Sequence, residues 1–255
     1  MRYSRYDVAG PPDAPAIALV HGTRLSRAVW APQVARLARE FCVVMPDLPG
    51  HGALADVPFT LAGAADALAE VIDEAAGGRA VVVGHSLGGY VAMELAARSP
   101  ERVAGLVLAG ASREPVGPWS LPYRWLALLL RVGNRPAFDG ANARFFRWRF
   151  GPAISEPIVA GGFWPRGGAA ALAALMGERF VPRLARYPGP TLIVNGALDP
   201  LFRLGERAFL AAAQDGRREV IPRATHMLNL DRPAAFNEAV RRFAADVYAA
   251  SNQAG

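Results

Sequence analysis

Val81-Val82-Val83-Gly84-His85-Ser86-Leu87-Gly88-Gly89 runs from an apolar strand candidate straight into a helical stretch that continues through Arg98. A strand that turns this sharply into a helix brings backbone against backbone, and side chains at Gly84 and Gly88 would clash. The turn would lift Ser86 clear of the sheet and put its Oγ at a helix amino terminus. A bare Gly-x-Ser-x-Gly pattern is common by chance, but an apolar strand before it and an amphipathic helix after it make it specific. The alternative is an ordinary βα turn that carries a serine.

Outward from this turn, short apolar runs alternate with helical periods, the pattern of a mostly parallel sheet with helices on both faces. Ile17 to Val20, Phe41 to Met45, Ala80 to Val83, Val103 to Leu108 and Thr191 to Val194 are strand candidates. Their unbroken apolarity fits burial on both faces. Arg2 to Val8 alternates weakly and suits an edge strand, and Glu219 to Ile221 is a short late strand. Leu61, Ala65, Leu68 and Ile72 recur at helical spacing, with Thr60 placed to cap the start and Gly77-Gly78 to end it. Phe236, Val240, Phe243 and Val247 form a final stripe, with Asp231 as its cap and Pro233 in its first turn. The alternation breaks between about Ser112 and Tyr187, where Pro, Gly, Trp and Phe crowd together and only short helical patterns appear, such as Trp125 to Arg131 and Ala169 to Met176. That is too long for a loop. The expected organisation is therefore one α/β core domain, residues 1–111 and 188–255, interrupted by an inserted helical lid at 112–187.

Composition narrows the function classes. The chain has 255 residues, 52% of them hydrophobic and 20% charged, which is the opposite of a disordered composition. Its formal charge of +6 comes from arginine alone, since no lysine occurs. No dense basic stripe or nucleic-acid module accompanies that charge, so nucleic acid is not the expected partner. A lone Cys42, within Phe41-Cys42-Val43-Val44-Met45, excludes a disulfide framework and reads as a small core residue. Met1 to Gly10 has no apolar core of signal-peptide length, and the apolar run Trp125 to Leu130 is far short of a membrane span. A soluble, cytoplasmic protein is the expectation.

The Gly84-His85-Ser86-Leu87-Gly88 segment in this setting resembles the α/β-hydrolase superfamily, and the likeness runs over nearly the whole chain outside the insertion. Serine is a poor nucleophile at neutral pH, so it needs a base, and the base an orienting carboxylate. Of the four histidines, His85 adjoins Ser86 on a tight turn and reads as packing. His51 lies in Asp47-Leu48-Pro49-Gly50-His51-Gly52, which resembles a loop-stabilising segment of the family, and His21 belongs to the His21-Gly22 loop. His226 follows the last strand and precedes the final helix, where the family carries its catalytic histidine. Asp199, in a turn beyond the strand Thr191 to Val194, is the candidate acid, with a simple turn former ahead of Pro200 as the alternative. The family's other acid position, after Val103 to Leu108, holds Ala109-Gly110-Ala111-Ser112 and no carboxylate; Asp215 reads as a helix-end residue.

Val20-His21-Gly22-Thr23 resembles the family's His-Gly loop, so the backbone amides of Thr23 and Leu87 are the candidate oxyanion donors. Arg24 departs from the small residue or proline more usual there. It either reaches an anionic substrate group or pairs with a surface carboxylate, and the second is favoured. The insertion is rich in aromatics: Trp119, Tyr123, Trp125, Phe145, Phe146, Trp148 and Phe163. Most should pack the lid, and Trp125 and Trp148 are candidate pocket residues. Arg144 to Arg149 interleaves charge and rings, either as a solvated helical face or as a dock for an acidic carrier protein. The resemblance implies a serine hydrolase that cleaves a carboxylic ester of a small to medium apolar substrate through Ser86, His226 and Asp199, without metal or organic cofactor. A thioesterase, a lactonase, a cofactor-free lyase or peroxidase-like enzyme, and a non-catalytic ligand-binding protein on the same fold are the alternatives.

Overall fold

The computed structural model describes residues 4–132 and 136–253. Strands β1 (Tyr6–Ala9), β2 (Ala16–Val20), β3 (Cys42–Pro46), β4 (Ala80–His85), β5 (Val103–Ala109), β6 (Pro190–Gly196) and β7 (Asp215–Ile221) form one sheet in the order β1-β3-β2-β4-β5-β6-β7. β1 runs antiparallel to β3, and the remaining pairs are parallel. The expected edge strand starts only at Tyr6; Arg2 and Tyr3 lie outside the described residues.

The helices are α1 (Ala31–Leu37), α2 (Leu61–Ala75), α3 (Leu87–Arg98), α4 (Leu121–Val132), α5 (Pro136–Phe150), α6 (Pro152–Ala160), α7 (Pro165–Leu175), α8 (Val181–Leu184), α9 (Pro200–Arg203), α10 (Glu206–Ala212), α11 (Leu228–Asp231) and α12 (Pro233–Gln253). Residues that alternate along each strand feed two separate cores. Ala18, Val20, Val44, Val82, Leu106 and Ile193 pack with α2 and α3 on one face. Ile17, Leu19, Val43, Val81, Val107 and Val194 meet α1 and α12 on the other, where Phe236, Val240 and Phe243 supply the expected stripe. Thr60 caps α2 as its position suggests, its Oγ1 accepting from the Gly63 amide at 3.0 Å. At the far end Gly77 and Gly78 take φ +62° and +80°, and the Gly78 amide closes on the Ile72 carbonyl at 3.1 Å.

β7 is longer than its sequence suggests. It begins at Asp215, which is therefore a strand residue rather than a helix end, and its first four residues are exposed. As an edge strand it carries charge instead of apolar side chains, and Arg217 and Glu219 pair with Asp246 and Arg242 of α12. No described helix is long and apolar enough to cross a membrane.

Between β5 and β6 the described residues form helices and turns only. α4 buries Tyr123, Ala127 and Leu130 but leaves Leu121, Trp125, Leu128, Leu129 and Val132 exposed. α7 lies close on the core. A Cβ at Gly167 would fall 1.8 Å from the Gly50 carbonyl oxygen, and one at Gly168 would fall 2.8 Å from Thr23 Oγ1. Shortly after β5 the Glu114 carboxylate accepts from the amides of Phe180 and Val181 at 2.9 and 2.7 Å.

Two buried histidines tie together the loops that follow β2 and β3. His21 donates from Nδ1 to the Gly22 carbonyl at 2.8 Å, and its Nε2 accepts from the Leu48 amide at 3.0 Å. His51 donates from Nδ1 to the Pro49 carbonyl at 2.9 Å, and its Nε2 accepts from the Arg24 amide at 3.1 Å. Asp47 completes the junction, taking the amides of Arg27 and Ala53 and the Arg27 guanidinium. Desolvation lowers His21 to about 4, and desolvation with the nearby His21 lowers His51 to about 3. His85, at the end of β4, falls to about 3, from desolvation first and the neighbouring His226 second.

These depressed values set an acid limit. The unfolded chain takes up protons near the ordinary histidine pKa of ~6.5, before the folded chain does. The contribution of the neutral histidines to stability is therefore complete above that value. It is lost as pH falls from there toward the folded values of about 4 and 3. Urea midpoints measured between neutral pH and about 5, above the main carboxylate range, should fall steadily. A flat profile over that window would show that these histidines are not held neutral.

Candidate active site

The site is assembled from backbone first. Ser86, between β4 and α3, adopts φ +51°, ψ −115°, a conformation that costs a residue with a Cβ ~1–3 kcal/mol. Two glycines allow it, as the sequence anticipates. A Cβ at Gly84 would lie 2.4 Å from the Gly88 carbonyl oxygen, and one at Gly88 would lie 2.2 Å from the Val20 carbonyl oxygen. The Ser86 amide donates to the Ala109 carbonyl at 2.8 Å, which anchors the turn to β5.

His226 and Asp199 meet that serine. His226 Nε2 lies 3.0 Å from Ser86 Oγ, and His226 Nδ1 lies 2.8 Å from Asp199 Oδ2. With the carboxylate accepting from Nδ1–H, Nε2 is left to accept the serine proton. Asp199 is buried beyond β6, in a turn where the Leu198 amide donates to the Ala224 carbonyl at 2.8 Å. Phe202 stacks on the His226 ring at 4.7 Å and 16°. His85 does more than pack. Its ring sits 5.0 Å from that of His226, and its Nε2–H donates to the His226 carbonyl at 2.8 Å. Gly110, at φ +58°, leaves room for the imidazole, because a Cβ there would lie 3.0 Å from Cε1 and Nδ1.

Asp231 has a different place from the one its sequence position suggests. α12 begins at Pro233, and Asp231 instead ends α11 and turns back toward the histidine loop. Its Oδ2 accepts from the Thr225 amide and hydroxyl at 2.7 and 2.6 Å, while Oδ1 takes the Arg149 guanidinium. Thr225 immediately precedes His226, so Asp231 fixes the backbone that carries the imidazole. The only sequence sign of this role is the spacing from Thr225 to Asp231, which fits a helix cap equally well.

Thr23 and Leu87, the candidate oxyanion donors, sit on loops at the carboxyl ends of β2 and β4. Among the described residues neither amide donates to a protein acceptor, whereas the adjoining Arg24 amide is taken by His51. The Arg24 carbonyl accepts from the Trp164 amide at 2.8 Å, so the loop is held from both sides.

A cavity of about 330 Å³ opens beside Ser86 and His226. Its walls are mostly apolar, with Leu25, Tyr123, Leu126, Leu172, Leu201 and Met227 prominent. Trp125 and Trp148 do not line it: they are 68% and 79% exposed. α4 turns Pro122, Tyr123 and Leu126 to the cavity, and helical geometry carries Trp125 off that face. Phe146 is buried against Phe150 and Phe163, in a packing role, while Phe145 is exposed. Arg147 and Arg149 pair with Glu156 and Asp231, so this basic segment is partly neutralised where it stands. Arg24 lines the cavity, and the expected surface carboxylate is not its partner; Nη1 donates to Asn142 Oδ1.

Comparison with known proteins agrees with this architecture. Residues 17–239 match the model of the alpha/beta hydrolase family. A pimeloyl-[acyl-carrier protein] methyl ester esterase of Chromobacterium violaceum is 30% identical over 83% of this chain and 87% of its own length. A 3-oxoadipate enol-lactonase of Acinetobacter baylyi is 26% identical over 92% and 90%. Three other curated relatives, 36%, 38% and 39% identical, match over less than half of their own length. Among solved structures, a hydrolase from Pseudomonas aeruginosa superposes with a TM-score of 0.78 at 28% identity, covering 93% of this chain and 92% of that one. With the family model spanning most of its length and the sheet order and parallel register described above, the chain belongs to the alpha/beta hydrolase family.

Proposed function

We propose that the protein hydrolyses carboxylic esters of small to medium, largely apolar substrates through a serine acyl-enzyme. The observation that carries this reading is the relay from Ser86 Oγ through His226 to Asp199, at 3.0 and 2.8 Å. Ser86 Oγ attacks the ester carbonyl as His226 Nε2 takes its proton, and Asp199 holds the imidazole in the tautomer that can do so. The oxyanion of the tetrahedral adduct would accept from the free amides of Thr23 and Leu87. Collapse expels the alcohol, which receives the proton from His226. A water, deprotonated by the same nitrogen, then attacks the acyl carbonyl; the acid leaves and Ser86 regains its proton. The names of the Chromobacterium and Acinetobacter relatives both describe ester cleavage, open or cyclic, and support this reading. The helical insertion, residues 112–187, serves as the lid that shapes the acyl pocket. Because Arg147 and Arg149 already have carboxylate partners, a small free ester is favoured over a carrier-bound one.

Ser86→Ala deletes one hydroxyl and should remove nearly all turnover with the melting transition unchanged. Fluorophosphonate labelling should be lost with it. More than about a tenth of wild-type activity in the folded variant would overturn the mechanism.

Gly110→Ala tests the space reserved for the imidazole. With its Cβ 3.0 Å from the His226 ring, the base must shift, and kcat should fall by ~10²-fold. Circular dichroism should show the fold retained, and an unchanged kcat would mean that the histidine has freedom this geometry denies it.

The cavity makes a third demand. Burial of each methylene is worth ~0.8 kcal/mol, so kcat/KM should climb about fourfold per carbon along a short acyl series until the space fills. Leu126→Ala or Leu172→Ala should shift the point at which the climb levels, whereas Trp125→Ala should leave the profile as it is. A wild-type profile that falls from the acetyl ester onward would defeat the apolar-pocket reading.

A further inference from the structure

Among the described residues one arginine, Arg24, lines the cavity beside Ser86, and it occupies that place at a cost. Its backbone lies at φ +58°, in the left-handed region where a Cβ is disfavoured, so glycine or asparagine would suit the turn better. Its guanidinium is desolvated, which lowers its pKa, and among the described residues no carboxylate pairs with it to offset that loss. Nη1 has one protein acceptor, Asn142 Oδ1, and the ring of Phe146 lies 5.8 Å below Cζ. Asn142 is itself oriented, because its Nδ2 donates to the Phe138 carbonyl at 2.8 Å and so turns Oδ1 to the arginine. The side chain is thus held in place, while the rest of its donor fork has no acceptor among the described residues.

A partly buried guanidinium with a fixed orientation and unused donors matches a carboxylate in charge and in planar, two-pronged geometry. A dianionic phosphate would bring more charge than this one cation can balance. We propose that Arg24 forms a carboxylate subsite, so that the preferred ester carries a second, ionised carboxylate separated by an apolar spacer from the bond that Ser86 attacks. Half-esters of linear dicarboxylic acids are the simplest members of this class. The spacer would lie along the Leu126, Leu172 and Leu201 walls. This inference rests on the hydrolytic reading of Ser86 and names the substrate class for that site.

The test compares kcat/KM for methyl half-esters of a short series of dicarboxylic acids with that for isosteric esters ending in a neutral primary amide. At the best chain length the wild type should favour the carboxylate by about tenfold or more, the scale of one desolvated charge-assisted pair. Arg24→Gln should reduce that ratio to about one, and Arg24→Lys should keep part of it, because an ammonium supplies charge without the fork. Asn142→Asp gives the guanidinium a resident carboxylate and should reduce the ratio without removing the arginine, which covers the case in which Arg24→Gln does not fold. A wild type that cleaves the amide-ended esters as fast at every length would overturn the subsite, as would a folded Arg24→Gln that keeps the preference. Cleavage of neutral esters with fluorophosphonate labelling of Ser86, but no preference, defeats this inference alone. If neither series is cleaved and Ser86 takes no label, the hydrolytic reading falls with it.

Discussion

Close approach of backbone at the end of β4 is the constraint on which the other parts of the site depend. Gly84 and Gly88 let the chain fold against itself and against the carbonyl of Val20. Because α3 starts there, Ser86 is held at a strained φ and its hydroxyl stands at the carboxyl edge of the sheet. The same edge delivers the loops after β2, β6 and β7, so Thr23, Asp199 and His226 converge on Ser86 although they are far apart in sequence. Parallel strands make this possible, since each one ends on the same side.

Electrostatics divides the histidines into two kinds. His21 and His51 each use one ring nitrogen as donor and the other as acceptor, inside a dry junction that keeps them neutral. They act as rigid struts between loops. His226 faces the cavity, cushioned by Phe202 and His85 and backed by the Asp199 carboxylate. One imidazole therefore faces the cavity, while the other three are buried and tied to backbone partners. Asp231 extends the same logic by clamping Thr225 on the chain just before that imidazole.

The interior strands are legible in the sequence because burial on both faces leaves unbroken apolar runs. β7 is only half legible, since an edge strand needs apolar residues on little of its surface and carries Arg217, Arg218 and Glu219 instead. That Ser86, His226 and Asp199 come together can be anticipated because histidine is scarce in this chain and the three follow one another in a constrained order. Asp231 is misread because one residue type serves both as helix cap and as loop clamp, and only the path of the chain separates them. Trp125 and Trp148 are misread for a related reason. Composition marks residues 112–187 as aromatic, but which face of α4 or α5 meets the cavity is decided by packing. Arg24 can be recognised as unusual in sequence, while the lack of a carboxylate partner for it among the described residues emerges only from the fold.

The two helical walls of the cavity are anchored differently. α7 meets the core where glycine brings backbone onto backbone, at Gly167 against Gly50 and at Gly168 against the Thr23–Arg24 loop. A side chain at Gly168 would press on the loop that carries Thr23, and one at Gly167 would press on the loop that carries Gly50. α4 buries the side chains of Tyr123, Ala127 and Leu130 on its inner face and is open to solvent on its outer face. The cavity thus has one wall set by backbone contact and one set by side-chain packing. An exchange of α4 would be felt through the side chains of Tyr123, Ala127 and Leu130, whereas one of α7 would be felt by the backbone of the loop that carries Thr23.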